Sequence, residues 1–441
     1  MRNAIAYRGS IFYFKDSATF ENIPTSKKEN DHSQYVYLED GILVVESGKV
    51  TAVGAYQDLK EQIKDLKLVN YGKKLITPGF IDTHQHCTQS SIVAAYGEKL
   101  LEWLEDYVFP GESIYDNPES AKADITFFLD HLVRNGTTTA VSYGPLFYQA
   151  ADIFFEELDK RKMRFITGNI LMDKDSPDYL RLTTKENYDI SRRLIEKWHN
   201  KHRLSYCISP RFALACSEEM MELCGTLKKE FPDLYIQTHL DENTNEVESV
   251  KKEFPWSKNY LDVYNHFGLV TPQTVLGHCI HLTDDELHTM RELKPILSWC
   301  PISNNFLGSG LFNLERVLKY THNITLGTDW GGGNSLSMFA VMDDAYKVAM
   351  LQSYKLPSMK RWYMATFGAA KSLELESKIG NFTPGKEADF IVIDPEASPF
   401  LKYRSARVND IFELLFILMT LGDEKIIHAT YIFGEPAYQV S

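Results

Sequence analysis

Long apolar runs are missing from this 441-residue chain. None reaches the roughly eighteen residues that a helix needs to cross a bilayer, so no membrane-spanning helix is expected. Positive charge is also scarce: 47 Lys and Arg stand against 60 Asp and Glu, a formal net charge of −13. Contacts to phosphates need a basic surface, so neither nucleic acid nor an anionic membrane is an expected partner. The N-terminal stretch MRNAIAYRGSIFYF has no long apolar core followed by a cleavage site, so no signal peptide is expected. Cysteine is sparse. Cys87, Cys207, Cys216, Cys224, Cys279 and Cys300 are scattered with no CxxC pair, which argues against a disulfide framework and for reduced thiols in the cytoplasm. There is no low-complexity linker and no internal repeat.

What is present is ordinary in composition, with 44% apolar and 24% charged residues, but regular in pattern. Short apolar runs over 75–82, 137–144, 164–171, 204–210, 234–240, 274–280, 296–302 and 324–329 read as eight strands. Amphipathic stretches such as AKADITFFLDHLVRN, ADIFFEELDKRK, EEMMELCGTLKKEF and LTDDELHTMREL separate most of them. Eight strand–helix units in about 250 residues have the size and rhythm of a (β/α)8 TIM barrel. The flanks differ. Residues 36–56, 380–394 and 427–438 alternate around turn signals, which predicts a small β-sandwich formed by both termini. The expected division is 1–74 and 377–441 for the two parts of the sandwich and 75–376 for the barrel.

Histidines fall at the ends of the predicted strands: His84 and His86 in LITPGFIDTHQH, His239 in LYIQTHLDEN and His278 in TVLGHCIH. Asp329 closes the series in ITLGTDWGGG. Imidazole and carboxylate are the ligand types that suit a zinc-like divalent ion. His84 and His86 are two residues apart, so on one strand they point the same way. Ligands on strands one, five, six and eight favour a closed barrel over a doubly wound open sheet, where they would not converge. His131, His199, His202, His266, His288 and His322 fall in helical or loop segments, and His281 belongs to the turn after His278. Glu242 follows His239 by three residues and is the candidate general acid/base, with Asp241 as the neighbour it must be told from.

Taken as a set, these residues resemble the amidohydrolase superfamily and, within it, guanine deaminases of bacterial type. The stretches that carry the resemblance are PGFIDTHQHCTQ, LLEWLEDYVFP (100–110), NGTTTA, PRFAL, QTHLDEN, CPISNNFLGSG, GTDWGGGNSLSM and GNFTPGKEADF. They span nearly the whole chain. The resemblance implies a single zinc ion, iron being the alternative, held by His84, His86, His239 and Asp329. His278 would contact the water and the intermediate. Gln89, Arg211 and Phe212 would hold the purine. It further implies a homodimer, a place in purine catabolism, and hydrolysis of guanine to xanthine and ammonia, with Asp329 activating the water, Glu242 protonating N3 and His278 stabilising charge. Binuclear relatives carry a bridging Lys on strand four, and LSYCISPRF has none. The H-x-E and PCxxC pattern of the other zinc deaminases is absent.

The chemistry of the candidate side chains agrees. Arg211 can donate a planar fork to O6 or N7 of guanine, Gln89 offers both a donor and an acceptor, and Phe212 can stack on the ring. Departures from the family pattern are Phe147, Trp299, Ile302 and Trp330, of which Trp330 and Phe147 bear on pocket shape. Two rivals stay open: a hydrolase of another purine, a pterin or an s-triazine on the same site, and a non-catalytic barrel scaffold.

Overall fold

The computed structural model describes residues 4–26, 32–96, 100–408 and 410–440, so the first three residues of the N-terminal stretch lie outside it. Its strands fall into two sheets. The first takes β1 (Ile5–Phe14), β2 (Tyr35–Glu46), β3 (Lys49–Ala55) and β4 (Lys67–Pro78) from the N-terminal part. The second is built from β5 (Phe80–His86), β6 (Thr137–Gly144), β7 (Arg164–Leu171), β8 (Leu204–Pro210), β9 (Tyr235–Leu240), β10 (Thr274–His278), β11 (Ile296–Trp299) and β12 (Ile324–Leu326). The C-terminal β13 (Phe390–Ile393), β14 (Ile427–Ile432) and β15 (Glu435–Gln439) return to the first sheet.

The sheet of both termini runs in the order β15-β14-β13-β4-β1-β2-β3. It bends around one apolar cluster that includes Tyr7, Ile11, Leu43, Val50, Ile76, Phe390 and Tyr431. Its far edge comes back to the C-terminal segment, where the Val50 amide donates to Lys386 at 2.8 Å. The sandwich expected from the sequence is thus one seven-stranded hydrogen-bonded sheet formed by both termini. The first barrel strand starts later than its apolar run suggests. LITP ends β4, Gly79 turns the chain, and FIDTHQH forms β5. His84 and His86 thus lie within the strand end itself.

The eight parallel barrel strands follow the order β5 to β12. The seam between first and last is held by side chains and one backbone bond. Thr83 bonds Thr325 at 2.7 Å, the Asp329 amide donates to the His84 carbonyl at 2.8 Å, and the Asp82 carboxylate accepts from the Thr328 amide and hydroxyl at 3.1 and 2.5 Å. At the N-terminal end Ile81, Val141, Ile166, Val275 and Ile296 pack on Ala369 and Ala370 of the helix Phe367–Ser372 and on Leu373 just after it, an apolar plug. Above it lies a polar layer, where Thr83 bonds Ser298 at 2.7 Å and Gln237 donates to Ser209 at 2.8 Å. The histidines stand above that layer, at the C-terminal end where barrel enzymes place their chemistry.

Barrel and sandwich are tied by a buried ion cluster. Arg164 donates to Glu387 at 2.9 and 2.5 Å, Arg203 donates to the same carboxylate at 3.0 and 2.7 Å, and Arg203 also bonds Asp389. Burial works to raise the Glu387 carboxyl, but the two guanidinium groups hold it below the usual carboxylate range. Glu387→Ala leaves two buried cations short of a partner and is expected to cost about 3–5 kcal/mol. A lowered folded-state pKa gives stability that is fully present above the ordinary Glu value of about 4.3 and lost as the pH falls through the lowered one. Denaturation of both proteins between pH 7 and 3 checks this. The gap should be widest at neutral pH and close only in acid; equal stability at pH 7 would contradict the clamp.

Candidate active site

Five side chains converge above the polar layer. Asp329 Oδ1 lies 3.5 Å from His84 Nε2 and 3.3 Å from His86 Nε2. His239 Nε2 lies 3.2 Å from His86 Nε2, and His278 Nε2 lies 3.9 Å from Asp329 Oδ2. The tightest group offers one donor each from His84, His239, His278 and Asp329, all within 4.8 Å. That group differs from the four ligands expected from the sequence in one member: His278 is in it and His86 is not, although His86 Nε2 lies 3.3 Å from Asp329 Oδ1. The backbone is strained to bring them there: His278 and Asp329 have φ of 71° and 48°, the left-handed region that non-glycine residues avoid. Gly277 makes room, since a Cβ there would sit 2.5 Å from His84 Cε1.

The residues suit a divalent ion. Both ring nitrogens of His84 and the Nε2 of His278 are buried without a hydrogen-bond partner, a costly state that a metal would relieve. His239 uses Nδ1 to donate to the Arg211 carbonyl at 2.6 Å, and His278 uses Nδ1 to donate to Asn304 Oδ1 at 2.9 Å. Each then has an Nε2 lone pair turned to the cluster, the arrangement that orients metal-bound imidazoles. Burial lowers His84 to about 4 and His239 well below its ordinary value, so both are neutral ligands at pH 7. Burial works to raise Asp329, but the His84 and His86 imidazoles facing its Oδ1 hold it well below the carboxylate range.

Glu242 lies beside the cluster, with Oε2 3.4 Å from His278 Nε2. Asp241 does not. It has φ of 51°, ends the strand, and lines no part of the cavity. The Glu242 amide is fixed by donating to Glu246 at 3.0 Å, and its Oε1 accepts from Ser309 at 3.2 Å. Burial pushes the Glu242 carboxyl up to about 7. A carboxyl poised there can give and take a proton at neutral pH.

These groups open into a cavity whose empty space, counting the part open to solvent, is about 420 Å³. Its walls bring in Gln89, Arg211 and Phe212, and also Trp103, Leu104 and Leu307, which the sequence did not single out. Trp103 and Leu104 belong to a segment over the barrel mouth: a helix Leu100–Trp103, a π-helical turn Leu104–Val108 and a helix Phe109–Ser113. That segment also carries Glu112, another residue sequence reasoning missed. Arg211 donates to both Glu112 oxygens at 2.7 and 3.2 Å, and Gln89 donates to it at 3.1 Å. The Arg211 fork expected to face the base therefore also grips Glu112. Gly331, at φ 122°, lets the Gln89 carbonyl oxygen lie against the backbone where a side chain would clash.

The segment after β11 braces the chemistry. Ser303 donates to Asp329 Oδ2 at 2.5 Å, Asn304 accepts from His278, and Ser309 donates to Glu242. Its sequence, CPISNNFLGSG, marked the family without revealing these contacts. His281 pins the same segment through the Ser309 carbonyl at 2.8 Å. The other histidines read as outside the site are outside it, among them His199 on Asp233, His202 on Asp159 and His322 on Glu21. Of the four departures, none lines the cavity: Trp299 stacks on Phe312, the Trp330 indole donates to Ser90 at 3.0 Å, and Ile302 and Phe147 pack into the core.

A family model described as the amidohydrolase family matches residues 75–436. Guanine deaminase of Escherichia coli K12 is 44% identical over 404 residues, 91% of this chain and 92% of that protein. The solved structure of E. coli guanine deaminase superposes with a TM-score of 0.94 at 42% identity, covering 99% of this chain and 100% of that one. A guanine deaminase from C. acetobutylicum with guanine bound in its active site superposes with a TM-score of 0.88 at 27% identity, covering 99% and 100%. The chain belongs to the amidohydrolase family, on its guanine deaminase branch.

Proposed function

We propose that this chain hydrolyses guanine to xanthine and ammonia at the His–Asp cluster. The observation that carries the reading is the placement of a buried carboxyl, Glu242, beside that cluster in the cavity that Gln89, Arg211 and Phe212 also line. His84, His86, His239 and Asp329 would hold one divalent ion, with His278 beside it. Zinc suits three imidazoles and a carboxylate, and iron is the alternative. When bound, the ion would supply Lewis acidity, which brings the pKa of water towards about 7.

The chain's own groups then share the proton work. Asp329, braced by Ser303, takes a proton from the water that adds at C2. Glu242 delivers a proton to N3, takes one back from the hydroxyl now on C2 and passes it to the departing amine, so that the C2–N bond breaks as the C2 carbonyl forms and ammonia leaves; the proton held by Asp329 then restores Glu242. His278, fixed by Asn304, stabilises the charge that develops on the oxygen. Gln89 and Arg211 hold the polar edge of the base, and Phe212 packs against the ring. Relatives that act on this base, one of them with guanine bound, support the assignment. The test is stoichiometry: the metal-loaded protein should convert guanine to xanthine and ammonia one to one, and absence of either product would sink the reading.

The same proposal takes 75–376 as the catalytic barrel and 1–74 with 377–441 as the sandwich. It also takes the protein as a cytoplasmic homodimer in purine catabolism. In support, the six cysteines are unpaired, no described helix is long and apolar enough to cross a membrane, and Phe400 and Tyr403 stand largely exposed.

A further inference from the structure

Glu112 is a buried carboxylate with no part in the proton steps above, yet four donors converge on it. Arg211 gives two bonds, Gln89 one, and the Thr88 hydroxyl one at 3.3 Å. Three of these bonds fall on Oε1 and one, from Arg211, on Oε2, so the carboxylate is engaged at both oxygens by the residues around it. It acts through the residues it holds. Gln89 comes from the turn after β5 and Arg211 from the end of β8, and the shared carboxylate sets one relative to the other. Arg211 is further boxed in by the Phe109 ring, 5.4 Å from its guanidinium carbon.

We infer that Glu112 is a positioning and selectivity residue, one that aligns Gln89 with Arg211 and cancels the Arg211 charge so that the cavity favours a neutral lactam base over an anionic one. The physical argument is electrostatic. A lone guanidinium buried beside the base would attract an anion strongly, because charges interact with little screening there. Xanthine, with a second ring carbonyl flanked by N–H groups, is a stronger acid than guanine and ionises more readily. An unpaired Arg211 would hold the product; the Arg211–Glu112 pair has no net charge to offer it. Burial works to raise the Glu112 carboxyl, but Arg211 keeps it below the usual range, so the pair is ionic. The inference rests on the guanine deaminase reading and adds product discrimination to it.

The experiment compares inhibition by xanthine and by hypoxanthine, which keeps O6 and N7 but is the weaker acid, for wild type and Glu112→Gln. Metal content and guanine turnover are measured alongside. In Glu112→Gln the metal should stay, KM for guanine should rise more than kcat falls, and xanthine should gain on hypoxanthine by about tenfold or more, as loss of one nearby charge implies. Glu112→Asp, which keeps the charge but not the reach, should raise KM and leave the xanthine-to-hypoxanthine ratio at the wild-type value. Should Glu112→Gln not fold, Arg211→Gln gives the mirror test, since a lone Glu112 must weaken xanthine relative to hypoxanthine. An unchanged ratio in both charge-removing variants overturns the inference. Wild type that leaves guanine untouched refutes the function itself, a separate and distinguishable failure.

Discussion

Glu242→Gln is expected to give a folded protein that keeps its metal and loses about 10²–10⁴ in kcat on guanine, the scale of a removed acid/base group. The amide fills the same space and can still accept the Ser309 hydrogen bond at Oε1. It cannot carry a proton to N3. Because Glu242 is proposed to touch no metal, the change leaves the ligands of the ion in place. The position makes the effect specific: the carboxyl is buried, raised to about 7, and 3.4 Å from His278. Metal analysis together with steady-state kinetics checks it. Near-normal turnover in a metal-loaded variant would reduce Glu242 to a bracing residue for the segment after β11.

Asp329→Asn should behave differently, damaging metal retention and rate together. Wild type should carry about one divalent ion per chain, as a cluster of this donor type holds. One Asp329 oxygen faces the Nε2 atoms of His84 and His86, and the other takes the Ser303 hydrogen bond. An amide offers one neutral acceptor in place of two charged ones, so the ion loses its anionic ligand and the water its proton acceptor. Metal content should fall well below that of wild type, with kcat down by about 10²-fold or more even when metal is resupplied. Elemental analysis and metal-titrated kinetics decide it. Full metal occupancy and full activity would remove Asp329 from both roles.

Much of this site was legible before any coordinates. Short continuous apolar runs with His or Asp at their ends locate barrel strands and their catalytic ends at once, because strands of a parallel barrel are buried on both faces and carry their chemistry where they stop. His84, His86, His239, His278 and Asp329 therefore met where their positions in the sequence required. The strand boundary at Gly79 was less visible, since LITP and FID are both apolar and only the turn between them separates sandwich from barrel. Glu112 was not visible at all. It sits among other acidic residues in a surface-like stretch, and only the tertiary approach of Arg211, ninety-nine residues away, makes it a buried ion-pair partner. Ser303, Asn304 and Ser309 were unreadable for the same reason: a small polar residue in a loop acquires a role only from what it touches.

The central claim is chemical selectivity at C2 of guanine, and a substrate panel tests it most directly. Ammonia release would be measured as kcat/KM for guanine, adenine, cytosine and a pterin, on wild type and on Arg211→Ala. Guanine should be the best substrate. Adenine has an amine where guanine has O6, so the Arg211 donor meets another donor, and a buried donor left unpaired costs about 1–3 kcal/mol; adenine also lacks the C2 amine. Arg211→Ala should raise KM for guanine and leave metal content intact. Preference for any other base, or an Arg211 variant unchanged on guanine, would contradict the account and leave only an amidohydrolase acting on a different substrate.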